Sequence, residues 1–107
     1  MTEITEQGYH PTIATEQLSD GQTMAFSIGE HELLLCRSKG KFYAFKNECT
    51  HQAKPLTNAK IRRGTVICPF HGAQFNLSDG ESLSALAHCA LTTYSVEVQN
   101  NRVMVRL

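Results

Sequence analysis

Two short clips constrain this chain more than anything else in it: Cys49-Thr50-His51 and Cys68-Pro69-Phe70-His71. Each supplies one sulfur and one imidazole nitrogen, and sixteen residues lie between them. Thiolate and imidazole suit borderline and soft metals, so four such side chains in two clips point to a metal site. The order is informative as well. A zinc finger usually gathers its cysteines in one clip and its histidines in the other, whereas here each clip is mixed. That arrangement suits two metals sharing a bridge, with the cysteines on one and the histidines on the other. A structural zinc site and four unligated core residues are the alternatives. Pro55, Pro69 and Gly72 fall where tight metal-binding loops need them.

At 107 residues the chain is long enough for one cored domain and too short for two. Apolar residues at 41% and charged residues at 19% place it among ordinary globular chains. No run approaches the roughly eighteen apolar residues that span a bilayer. The start, Met1 to Glu6, is acidic and has no apolar stretch, so it does not read as a secretory signal. The cytoplasm is therefore the expected location, and in that reducing compartment four cysteines need not form disulfides. Cys36 ends the apolar run Leu33-Leu34-Leu35-Cys36 and reads as a small buried hydrophobe. Cys89 reads as an exposed thiol. His10, His31 and His88 have no clip around them and read as surface residues.

The rest of the chain is short strands broken by turns. Thr12 to Ala14 is a first strand, followed by at most one helical turn over Thr15 to Leu18 and the Asp20-Gly21 turn. Residues 22–28 and 31–37 form a hairpin around Gly29-Glu30. After Ser38-Lys39-Gly40, the strand Lys41 to Phe45 sends Phe42 and Ala44 to one face, Tyr43 and Phe45 to the other. Residues 58–61 and 65–68 pair across Arg62-Arg63-Gly64, delivering Cys68 at a strand end. Gln74 to Asn76 is extended, Ser78-Asp79-Gly80 turns, and 81–90 reads as loop. Thr93 to Val98 and Arg102 to Leu107 flank Asn100-Asn101, a pair tolerant of the positive φ of a type I′ turn. The class is all-β, an antiparallel sandwich or barrel.

The charges are unevenly placed although they sum to zero. Residues 1–35 hold six acids and no Lys or Arg, and residues 37–63 hold eight bases against Glu48 alone. Solvated strand faces account for both. The sharper expectation is that Lys46, Lys54 and the Arg62-Arg63 turn flank the metal loops and orient a partner. Neutral overall balance argues against nucleic acid.

With its mixed clips, the chain resembles the Rieske-type ferredoxins, over nearly its whole length. The resemblance implies a Rieske [2Fe–2S] cluster, one per chain, with Cys49 and Cys68 on the inner iron and His51 and His71 on the outer one. It implies a cluster-binding subdomain, about 46–84, standing on a basal β-domain of about 9–45 and 85–107. Two ferric ions, two sulfides and two thiolates sum to a charge of about zero, against about −2 with four thiolates, so the electron is accepted more readily. No nucleotide loop or substrate domain is apparent, so the chain is expected to be a carrier and not an enzyme. The resemblance is to the ferredoxin component of bacterial aromatic ring-hydroxylating dioxygenase systems. It implies a flavin-dependent ferredoxin reductase upstream, a terminal oxygenase downstream, a monomer, and no membrane partner. The small subunit of an assimilatory nitrite reductase is the second reading, and a zinc-stabilised interaction module the third. Relatives with high potentials carry a serine after the second clip's His-Gly, a tyrosine two residues later, and a disulfide between clips. The matching positions here are Ala73, Phe75, and the pair Lys54 and Phe70, which implies a low potential. Ala53 stands where many relatives have glycine, and Ala85 to Ala90 lacks the prolines common before the final strands.

Overall fold

The computed structural model describes residues 5, 7–50, 54–70, 72–83 and 89–107. The clip histidines His51 and His71, together with Ala53, residues 85–88 and hence His88, lie outside the described residues. Among the described residues nine strands follow in order: β1 (Tyr9–Ala14), β2 (Thr23–Ile28), β3 (His31–Ser38), β4 (Lys41–Lys46), β5 (Lys60–Arg62), β6 (Thr65–Ile67), β7 (Gln74–Asn76), β8 (Thr93–Gln99) and β9 (Arg102–Arg106). A 3₁₀ turn at Thr15–Gln17 sits where one helical turn was expected. The strands make a six-stranded antiparallel sheet, β1-β9-β8-β4-β3-β2, and a three-stranded one, β5-β6-β7. Among the described residues no helix is long and apolar enough to cross a membrane.

Turn chemistry sets the pairing. Asn100 and Asn101 both take positive φ, +50° and +62°, so Gln99 faces Arg102 across the two-residue turn read from the sequence. Lys39-Gly40 and Arg63-Gly64 also have positive φ at both positions, joining Ser38 to Lys41 and Arg62 to Thr65. Arg62 is thus the last residue of β5 and not part of the turn. The first strand starts earlier than expected, at Tyr9, in spite of Pro11. Proline lacks the N–H that a second neighbour would need, and β1 is an edge strand, where that loss is tolerated. Between Pro11 and Ala14 the register against β9 slips. The slip is patched by side chains: buried Thr12 donates its hydroxyl to the Val103 carbonyl at 2.7 Å, and Arg102 donates to the Thr12 carbonyl at 2.7 Å.

The run Leu33-Leu34-Leu35-Cys36 is buried at every position because β3 has a core on each face. Leu33 and Leu35 join Phe42, Ala44, Ile13, Val103 and Val105 in one core. Leu34, Cys36 and Phe45 join Val66, Phe75, Leu56, Cys49 and Cys68 in the other, with Tyr43 packed against it. The alternation read along β4 is therefore observed, with both faces covered. The second core is shared by the six-stranded and three-stranded sheets, so the clip cysteines are anchored to both.

Gly80 ties the segment after β7 to the start of β8. Leu91 donates its N–H to the Gly80 carbonyl at 2.8 Å, and Gly80 donates to Asn76 at 2.7 Å. At φ +75°, a Cβ there would lie 2.7 Å from the Leu91 carbonyl oxygen and 2.9 Å from Thr93 Cγ2. Gly80→Ala is expected to lower stability by about 1–3 kcal/mol. Gly29→Ala, at φ +59° with nothing within 4 Å of the added carbon, should lose less. Urea denaturation of both variants measures the difference, which isolates the clash from the backbone strain.

Candidate metal centre

Each clip is a loop that closes on itself. The Cys49 N–H donates to the Lys54 carbonyl at 2.7 Å, and the Cys68 N–H donates to the Ala73 carbonyl at 2.8 Å. Both bonds run from residue i to i+5, so the two loops share one closure. In the second, Gly72 at φ +75° also returns its N–H to the Cys68 carbonyl at 3.1 Å. The first hangs between β4 and β5 and is clasped at its neck by Asn47. That side chain accepts the Leu56 N–H at 2.6 Å and donates to the Thr57 hydroxyl at 2.9 Å. Thr50, inside the first clip, donates its hydroxyl to the Cys89 carbonyl at 2.7 Å and so binds the chain ahead of β8 to the clip.

Cys49 and Cys68 are buried in the same core cluster, at 1% and 2% exposure, and no disulfide involves either. Two thiols at the roots of two closed loops fit the cysteine half of the donor set. The structure brings these two candidates together, and the two histidines lie outside the described residues. At the solvent side the loops meet through the pair that the resemblance set at the inter-clip disulfide positions: the Lys54 ammonium lies 4.8 Å from the centre of the Phe70 ring.

The basic stretch does not gather at the clips. β3 and β4 are antiparallel, and β4 leads directly into the first clip, so its start, with Lys39 and Lys41, is at the opposite end. Arg63, on the turn of the β5–β6 hairpin, is at the end of β6 away from Cys68. These three line one groove of about 380 Å³ with Ser38, Asn76 and Ser78. Near the clips, Lys46 is paired with Glu48 at 3.3 Å. Of the bases expected to flank the metal loops, Lys54 is beside them and the Arg62-Arg63 segment is not. The reason is strand direction, which distance along the chain does not reveal.

The chain belongs to the Rieske [2Fe–2S] domain family, which matches residues 8–95, and a Rieske-type [2Fe–2S] cluster is its cofactor. It is 32% identical over 98 residues to the ferredoxin component of an alkene monooxygenase system from Xanthobacter autotrophicus, covering 91% of this chain and 80% of that one. It is 28% identical over 95 residues to the ferredoxin component of a naphthalene 1,2-dioxygenase system from Pseudomonas putida, covering 89% and 91%. Among solved structures, a chain in the complex of reduced oxygenase and oxidised ferredoxin of carbazole 1,9a-dioxygenase superposes with a TM-score of 0.85 at 27% identity, covering 94% of each chain.

The two remaining cysteines behave as read. Cys89 is exposed, and Cys36 is buried. Burial pushes the Cys36 thiol from its ordinary value near 9 up to about 12. The folded chain therefore keeps a proton there that the unfolded chain loses first. The associated stability is intact below pH 9 and is lost as pH climbs toward 12, at up to about 1.4 kcal/mol per pH unit. Urea unfolding across that window should show a steeper alkaline loss for the native chain than for Cys36→Val. Equal slopes would mean that the thiol does not titrate differently in the two states.

Proposed function

We propose that this chain is a one-electron carrier that passes electrons from a flavin-dependent NAD(P)H reductase to a terminal oxygenase. The observation that carries the proposal is the pair of closed loops rooted in one core by Cys49 and Cys68, on a chain that aligns nearly end to end with ferredoxin components of oxygenase systems. Cys49 and Cys68 would hold one iron through thiolates, and His51 and His71 the other through imidazoles. When bound, the cluster takes up and releases one electron. The protein keeps the thiolate side in the core, where Leu34, Phe45, Leu56, Val66 and Phe75 exclude water. We assign the cluster-binding portion to about 46–84 and the basal portion to about 9–45 and 85–107. A monomeric state and a cytoplasmic setting belong to the same reading.

The relatives serve both an alkene monooxygenase and a naphthalene dioxygenase. What this chain shares with them is the carrier, and an aromatic substrate for its own oxygenase rests on the resemblance. The zinc-stabilised module gives way to the family's cofactor. Purified holoprotein is expected to hold about two irons and two acid-labile sulfides per chain. One zinc and no sulfide would overturn the proposal.

The carrier should work at low potential. Ala73 and Phe75 are fully buried in the core that holds both cysteines, and neither side chain has a donor. Donors near the sulfurs stabilise the added electron and are a main control on potential. Ala73→Ser and Phe75→Tyr are each expected to raise the reduction potential in a spectroelectrochemical titration. An intact cluster whose potential moves in neither variant would exclude this account.

A further inference from the structure

The contact between Lys54 and Phe70 has a role that the family reading does not give it. Each clip is closed on itself by a backbone bond, and the two share a core only at their roots, through Cys49 and Cys68. At the rim, Lys54 of the first clip reaches across to Phe70 of the second, its ammonium 4.8 Å from the ring centre. That distance is within the range of a cation–π interaction.

Three features set the pair apart from an accidental surface contact. The Lys54 carbonyl accepts the Cys49 N–H, so the backbone that carries the ammonium is fixed by the loop closure itself. Phe70 is a large apolar side chain left 49% exposed, immediately before His71, and the lysine lies over it. The recorded ion pairs among the described residues are Arg37 with Asp20 and Lys46 with Glu48, and neither uses Lys54. The ammonium is turned toward the ring and not toward a carboxylate.

We infer that Lys54 and Phe70 form a latch across the rim of the metal centre, a positioning pair that keeps the two clips from parting. It rests on the reading that these clips hold the cluster. Parting of the clips at the rim would admit water and chelators to a cluster held between them, and the latch opposes that parting. The fixed positive charge beside the centre also favours the reduced form, which carries one more electron. Both effects come from exposed groups, so both are modest and weaken with salt.

The test uses the holoprotein with its cluster. Loss of visible absorption in the presence of a ferrous-iron chelator is followed for the native chain and for Lys54→Met, Phe70→Leu, the double variant, Lys54→Arg and Phe70→Trp. An exposed cation–π contact corresponds to about a two- to fivefold change in rate. Lys54→Met and Phe70→Leu should each lose the cluster that much faster, with the double variant little worse than either single one. Lys54→Arg and Phe70→Trp, which keep a cation over a ring, should match the native chain. Lys54→Met should also lower the reduction potential, most clearly at low salt, while Phe70→Leu, which keeps the charge, should move it less. Single variants that lose the cluster at the native rate overturn the latch, as do single effects that simply multiply in the double variant. A native chain with no iron and sulfide overturns the cluster reading itself, which separates the two failures.

Discussion

The structure depends on one strand serving two cores. β3 is buried at Leu33, Leu34, Leu35 and Cys36, and alternate side chains of a strand point to opposite faces. Leu33 and Leu35 fill the space against β1 and β9, and Leu34 and Cys36 fill the space against β6 and β7. β4 repeats the division with Phe42 and Ala44 on one side and Phe45 on the other. Without this central pair the three-stranded sheet would have nothing to stand on. Burying a Leu or Phe side chain gains about 1.5–3 kcal/mol, and the two clip cysteines are built into the second of these layers. Positioning the site and stabilising the fold are therefore one task here.

On that base the clips are small and locally determined. One backbone bond closes each, and the rest of the support is polar and short-range, with Asn47 clasping the neck of the first loop and Gly72 turning the second. The cysteine N–H groups are engaged in closing their loops. Apolar side chains, Leu34, Phe45, Leu56, Val66, Ala73 and Phe75 among them, share the core with the two cysteines. A metal centre of neutral charge tolerates such surroundings better than one carrying −2.

Much of this was legible in the sequence because it is local. Asn100-Asn101, Gly29-Glu30, Lys39-Gly40 and Arg63-Gly64 mark turns through the φ values they can adopt, and alternation in Phe42 to Phe45 marks faces. The two clips mark a candidate metal centre by residue type and spacing, and the structure places their cysteines in one core. The early start of β1 was not legible, because Pro11 reads as a breaker until the strand is known to be at an edge. The Thr12 and Arg102 bonds that repair its slipped register span some ninety residues of sequence. The resemblance matched Lys54 and Phe70 as a pair across the clips, but the chain alone could not reveal that the ammonium lies over the ring, or that Thr50 holds the Cys89 carbonyl. Each depends on how two distant segments are folded back against each other.

The placement of the bases has a consequence for a molecule whose formal net charge is zero. Lys39, Lys41 and Arg63 stand at the end away from the clips. Glu30 and Glu32 share a surface groove with Lys46 and Glu48 at the end where β4 enters the first clip. With no formal net charge the molecule has little long-range pull toward a charged surface. Its charges act locally, within about 8–10 Å of where they stand at physiological salt. The far groove, with three bases, and the clip end, with Lys46, Lys54 and Glu48, therefore present different local fields to whatever approaches.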